Sequence, residues 1–180
     1  MIHLRKIEPT DVPYLYRWEN DASAWADGSN HNPLSQQDLR DYVVASTGDI
    51  YRDGQLRLII EKREPGTTNP KPRTDNREPG TETLGCADLF EFDPRNRRAE
   101  IGLYIAPEYR GKGYAAQVLL QLEKYAFSFL QLRVLYAIVA VHNKPCSELF
   151  LSSHYTPSSL LPDWTLEGDA VLWTKTQKAL

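Results

Sequence analysis

Ala99–Phe129, AEIGLYIAPEYRGKGYAAQVLLQLEKYAFSF, decides how the rest of the chain is read. Ile101–Ala106 is an apolar run of strand character, Pro107–Arg110 a short polar break, and Gly111-Lys112-Gly113 opens a long amphipathic helix. Beyond the glycines, Ala115, Leu119, Leu122, Ala126 and Phe129 recur at spacings of four, three, four and three, an apolar stripe that predicts packing on a sheet. The order is strand, glycine-rich turn, helix. In such a turn successive backbone N–H groups lack an intrahelical partner and point, with the positive end of the helix dipole, at whatever lies in front of them. A phosphate-bearing ligand is the expected occupant.

Working outward, Ile2, Leu4 and Ile7 mark a first strand, and Thr10 is a candidate cap for a helix through Tyr14, Leu15 and Trp18, with Pro13 tolerated in its first turn. Ser35-x-x-Asp38 has the form of a capping box opening a second helix through Leu39, Tyr42 and Val43. Leu56–Ile60 and Leu84–Phe92 read as strands two and three, with Asp93–Asn96 the turn into strand four. Val134–Val141 is almost unbroken in its apolarity, which predicts a strand buried on both faces and parallel to its neighbour. Strand four, helix and strand five then form a right-handed crossover. Asn143 can cap a short helix over Pro145–Ser152, and Leu160–Leu166 and Ala170–Thr174 supply two more strands. The fold class is α/β, with a mixed, mostly antiparallel central sheet flanked by helices.

The 180 residues suit one domain spanning 1–180, with 41% hydrophobic and 25% charged residues. No apolar run reaches the roughly 18 residues of a membrane helix, and Met1–Arg5 lacks a signal-peptide layout, so a cytoplasmic protein is expected. A net charge of −3 without a Lys/Arg cluster argues against a nucleic-acid surface. Cys86 and Cys146 lack metal-site spacing and read as structural thiols, and no metal site is expected. Arg63-Glu64-Pro65-Gly66-Thr67 recurs as Arg77-Glu78-Pro79-Gly80-Thr81, and this Pro/Gly-rich stretch reads as a mobile hairpin insertion at about 63–82. Antiparallel pairing of strands two to four places it beside the end of strand four, where Arg63, Lys71, Arg73 and Arg77 would be within reach of phosphates.

Gly111-x-Gly113-x-x-Ala116 formally matches a dinucleotide fingerprint, but it sits past the midpoint of the chain and lacks the acidic residue about 20 positions on. A P-loop is excluded, since no Gly-x-x-x-x-Gly-Lys-Ser/Thr occurs. Arg110-x-x-Gly113-x-Ala115, after an apolar strand and Pro107, resembles the acetyl-coenzyme A signature Gln/Arg-x-x-Gly-x-Gly/Ala of the GNAT superfamily of N-acetyltransferases. The resemblance extends over nearly the whole chain, including Arg97-Arg98-Ala99-Glu100-Ile101-Gly102 and the Asn that opens the penultimate helix. It is nearest to the subgroup of ribosomal-protein N-terminal and spermidine N-acetyltransferases.

That resemblance implies a sheet splayed between strands four and five, with acetyl-CoA bound there and its acetyl group passed directly to a primary amine in a ternary complex. The amides of Gly111, Lys112, Gly113, Tyr114 and Ala115 would cradle the pyrophosphate, Arg110 adding charge. A backbone amide within Leu103, Tyr104 and Ile105 would donate to the thioester oxygen, while Asn143 and Phe150 would lie against the cofactor. Glu100, on the strand face shared with Gly102 and Tyr104, is the candidate base or water relay; the other reading is pairing with Arg97 or Arg98. Phe150 stands where the family has its proton-donating Tyr. Tyr155, His154 or Ser147 then substitutes, or coenzyme A leaves unaided, or the chain binds coenzyme A without transferring. Trp18, Glu19, Asp21, Trp25 and Asp27 fall where the family walls its acceptor cleft, and their charge suits a cationic small molecule or protein N-terminus; the other reading is a solvated acidic loop. A homodimer through the exposed C-terminal strands is one assembly that the sequence leaves open.

Overall fold

The computed structural model describes residues 1–21, 32–63 and 81–177. Within them the order is β1 (Ile2–Lys6), a 3-10 turn (Pro9–Asp11), α1 (Val12–Glu19), α2 (Gln36–Ala45), α3 (Ile50–Asp53), β2 (Leu56–Arg63), β3 (Thr81–Asp93), β4 (Arg98–Ile105), α4 (Tyr114–Lys124), β5 (Val134–Ala140), α5 (Lys144–Ser152), β6 (Thr156–Thr165) and β7 (Gly168–Thr176). The strands form one sheet in the order β1-β2-β3-β4-β5-β7-β6, antiparallel throughout except for the β4·β5 pair. This is the mixed, mostly antiparallel sheet that the pattern predicts.

Side chains alternate across the sheet and fill two separate cores. On one face Leu84, Ala87, Leu89, Ala99, Ile101, Leu135 and Ala137 pack beneath Val118, Leu119 and Leu122 of α4. On the other, Ile59 and Cys86 pack beneath Leu15 and Trp18 of α1 and Leu39 and Val43 of α2. The helix pair is docked by charge as well. Arg5 of β1 binds both oxygens of buried Asp11 at 2.7 Å and Glu61 of β2 at 2.6 Å, so the chain leaves β1 already clamped to the sheet.

Several boundaries differ from expectation for local reasons. The chain enters α1 through a capping box between Glu8 and Asp11 rather than a cap at Thr10. The Ser35–Asp38 box is present as read. Phe129 leaves the apolar stripe: residues 125–129 form a π-helical turn, which winds more residues per turn and rotates Phe129 to 81% exposure, stacked on Tyr125. β5 is not buried on both faces; Leu135, Ala137 and Val139 are buried while Tyr136 and Ile138 are half-buried. β6 begins earlier than predicted, at Thr156, and forms a sheet edge with Leu160 and Trp164 exposed. The repeat-containing segment lies outside the described residues from 64 to 80, and its ends at Arg63 and Thr81 pair with each other beyond the level of Ile105.

Gly85 marks the closest approach of two strands. A Cβ there would lie 1.9 Å from the Tyr104 carbonyl oxygen, so no side chain fits without moving β3 or β4. Gly85→Ala is expected to lower unfolding stability by about 3 kcal/mol, the scale of overpacking against backbone; denaturant titration reads this directly, and a change below about 0.5 kcal/mol would show that the strands yield freely.

Candidate active site in the opening between β4 and β5

The parallel β4·β5 ladder is short. It contains Arg98↔Val134, Ala99↔Leu135 and Glu100↔Tyr136 and then stops, although β4 runs on to Ile105 and β5 to Ala140. β4 remains paired with β3 as far as Gly85↔Ile105, and β5 with β7 as far as Ala140↔Ala170. Each strand is held by its outer neighbour while the inner edges part. The Arg97 carbonyl faces β5, accepting from the Val134 N–H at 3.2 Å, and the Ala106 N–H faces β3, donating to the Leu84 carbonyl at 2.8 Å. By alternation the odd-numbered positions of β4 face the opening, which gives it the N–H groups of Leu103 and Ile105 but not that of Tyr104.

Glu100 sits at the apex. The Ile138 backbone and the Tyr136 side chain both favour its ionised form. They are beside it because of the fork: the even-numbered positions of β5 face β4, and their N–H groups lose their ladder partners once β4 departs. Burial nevertheless pushes the Glu100 carboxyl up to about 7, with the negative charge of Glu91 acting in the same direction. Glu91 is brought there by a bulge: Phe90↔Glu100 is followed by Asp93↔Arg98, and Glu91 adopts a positive φ of 46°. Arg98 turns instead to Asp93 at 3.5 Å, so the alternative of a Glu100–Arg98 ion pair is not the arrangement formed.

The open end of the fork is lined by two helix starts. Gly111 and Gly113 have φ of 71° and 74°, and a Cβ on either would meet nothing within 4 Å. Backbone conformation, rather than crowding, is what requires glycine here. Gly113 caps α4 without a side-chain acceptor, leaving the first-turn N–H groups available for an anion. Arg110 is directed inward: its Nε donates to the Ile105 carbonyl at 2.8 Å and its guanidinium lies 5.7 Å from the Tyr104 ring. Lys112 similarly donates to the Glu108 carbonyl at 2.9 Å. Asn143 caps α5 through an Oδ1 that accepts from the Cys146 N–H at 3.1 Å, at the end of β5 that faces the opening. From the glycine turn to Glu100 the five intervening strand residues span about 16 Å. The site suits an extended ligand with an anionic end at the turn and a reactive end at Glu100.

Two of the expected residues are placed elsewhere. Phe150 is 2% exposed, edge-on to Tyr155 at 4.9 Å and stacked with Trp173. The Tyr155 hydroxyl, the expected stand-in acid, points away from the fork toward Glu123, which accepts from Lys175 at 2.6 Å. Lys175 pairs with Leu135, on the closed side of the last β4·β5 pair, and Glu123 lies nine residues along α4 from Tyr114, about 14 Å from the turn. Burial, and then the charge of Glu123, raises the Tyr155 hydroxyl well above its ordinary range.

On the other face, Trp18 is a core residue between Tyr14 and Tyr104, 5.6 Å from each ring. Glu19 is engaged by the half-buried Arg57, which also grips Asp88 at 2.7 and 3.2 Å and lies 5.7 Å from the Tyr42 ring. Gly102, opposite Asp88, leaves the floor between Glu100 and Tyr104 without a side chain; a Cβ there would sit 3.2 Å from both Asp88 and Phe90. Asp21 adds to burial in raising the Tyr104 hydroxyl. Trp25 and Asp27 lie outside the described residues. Tyr136 is the site residue that the sequence reading passed over, although a hydroxyl within the apolar run VLYAIVA was a visible signal.

A family model described as the acetyltransferase (GNAT) domain matches residues 2–155. The chain is 27% identical over 152 residues to a spermidine N(1)-acetyltransferase of Escherichia coli, covering 83% of this chain and 69% of that protein. It is 32% identical over 162 residues to an uncharacterized N-acetyltransferase, p20, of Bacillus licheniformis, covering 89% and 82%. A crystal structure of spermidine N-acetyltransferase from Vibrio cholerae in complex with CoA and spermine superposes with a TM-score of 0.79 at 20% identity, covering 98% of this chain and 95% of that one.

The raised Glu100 carboxyl has a measurable signature. Its side-chain carbon resonance should titrate with a midpoint near 7 instead of about 4.5. Because the folded state then binds the proton more tightly than the unfolded chain, stability should fall as pH rises from about 4.5 to 7, and Glu100→Gln should flatten that slope. A midpoint below 5 would show that the carboxylate is well solvated.

Proposed function

Because the chain belongs to the acetyltransferase (GNAT) family, we propose that it moves an acetyl group from acetyl-CoA to a primary amine by direct attack in a ternary complex. The observation that carries this reading is the fork itself: a proton-accepting Glu100 at its apex, two strand amides along its edge and a glycine turn opening a helix at its mouth. Gly111 to Ala115 offer main-chain donors for a pyrophosphate, and the open space around both glycines fits coenzyme A. Leu103 and Ile105 line the path of the pantetheine arm, and their N–H groups are the donors for the thioester oxygen. When bound, acetyl-CoA supplies an acetyl thioester, an activated acyl donor.

Glu100 takes the proton that the unprotonated amine loses as its nitrogen attacks and becomes an amide. With its carboxyl near 7 it is a strong enough base to accept a proton and is still substantially ionised at neutral pH. The acceptor comes from the α1–α2 face, the face on which Glu100 stands with Gly102 and Tyr104. That face has an acidic surplus: Glu19 and Asp88 share one Arg57, and Asp21, Glu91 and Glu100 lie around them. Together with the likeness to the E. coli spermidine enzyme, this supports a polyamine acceptor ahead of a protein N-terminus.

Thiol release from acetyl-CoA against a panel of polyamines, monoamines and peptide N-termini tests the reading. Wild-type protein should release thiol only with an acceptor and fastest with a polyamine; Glu100→Gln should lower kcat/KM by about 10²–10⁴-fold. Tight acetyl-CoA binding with no acceptor-dependent release would overturn the transferase assignment. The pH profile of kcat/KM should rise through about 7 as Glu100 ionises, in addition to the rise from the amine itself.

A further inference from the structure

A thioester that gives its acyl group to an amine leaves a thiolate, and a proton delivered to that sulfur speeds departure. Phe150 has no proton to give, and Tyr155 is directed to Glu123 on the closed side of the ladder. One hydroxyl does lie in the fork. Tyr136 is the β5 member of the last β4·β5 pair, its Cα partner is Glu100, and the charge of Glu100 acts directly on its hydroxyl. Partners in a parallel pair project from the same face, so Tyr136 stands beside the base at the point where the strands part. It is half-buried, neither sealed in the core nor free in solvent.

We propose that Tyr136 is the proton donor to the departing sulfur and that Glu100 refills it, the two side chains forming a relay that carries the amine's proton to coenzyme A. This rests on the acetyltransferase reading above. The bookkeeping of the step is closed. The amine nitrogen attacks the acyl carbon and loses its proton to the Glu100 carboxylate, the C–S bond breaks and its electron pair goes to sulfur. The Tyr136 O–H proton passes to sulfur, and the proton on Glu100 passes to the Tyr136 oxygen. The products are an amide and a neutral thiol, and both side chains return to their starting states.

Charge favours this sequence. Burial, Glu100 and Glu91 all hold the proton on Tyr136, and Arg98 alone acts against them. While Glu100 is ionised the hydroxyl therefore stays protonated. Once Glu100 has accepted the amine's proton, one of the two negative charges beside Tyr136 is gone, and its proton is more easily released at the moment the thiolate forms. Besides Tyr136, the described groups that bear on Glu100 are the Ile138 backbone and Glu91.

Tyr136→Phe tests the relay. In the unliganded variant the Glu100 titration should move upward, because a neighbour that favours its ionised form is lost; an unmoved titration would show that the pair is not coupled and overturn the proposal. With acetyl-CoA as donor the variant should lose about 10²-fold in kcat. With an acetyl thioester of an aryl thiol that is already ionised at neutral pH, which needs no proton to leave, the loss should shrink to less than about 3-fold. Equal losses with both donors, or none with either, would overturn the relay and leave the transferase reading standing. A wild-type protein inactive with every amine would overturn both. Unchanged coenzyme A affinity and melting temperature in the variant would separate these effects from misfolding.

Discussion

The structure depends on the loss of backbone pairing between β4 and β5 beyond Glu100 and Tyr136. A sheet interior rarely leaves N–H and C=O groups unpaired, because each buried orphan costs about 1–3 kcal/mol. Here the cost is contained by the outer neighbours: β3 keeps β4 paired and β7 keeps β5 paired. Glu100 stands where the two strands part, and its burial there removes it from water and raises its affinity for a proton.

The two faces of the fork divide the labour. α4 covers one face, and its N-terminal turn is brought to the open end because a right-handed crossover from β4 to β5 must start there. α1 and α2 cover the other, tied down through Arg57, which joins the end of α1 to the middle of β2 and β3. Arg57 with Glu19 and Asp88 forms a charge cluster in a half-buried setting, where loss of one partner is costly, so the end of α1 is tied to the sheet.

The fold was readable because its signals were periodic: the α4 stripe, the Ser35–Asp38 box and the strand-turn-helix order each follow from local chemistry. The face on which Glu100 stands was readable from alternation, since it had to share one with Gly102 and Tyr104. Other features depend on contacts between distant segments. The alternation of β5 between buried and half-buried positions reflects a missing neighbour, which no property of Val134–Val141 reveals. Phe129 was lost to a π-helical turn, a one-residue change in winding that apolar spacing does not encode. Tyr155 was offered as a substitute for the proton donor missing at Phe150, yet the direction of its ring is set by Phe150, Glu123 and Lys175. Glu19 seemed available for a cationic substrate until Arg57, 38 residues away, claimed it.

The inward aim of Arg110 and Lys112 bears on how the mouth of the fork attracts its ligand. Both cations flanking the glycine turn are engaged with main-chain carbonyls, of Ile105 and Glu108. A hydrogen bond to a neutral carbonyl leaves each cation its full charge and fixes where that charge sits. A full positive charge is felt over a Debye length of about 10 Å at 0.1 M salt and weakens as salt is added, whereas dipoles act only at contact and are screened little. The turn therefore combines two positioned charges of long, salt-dependent reach with a row of main-chain dipoles of short reach.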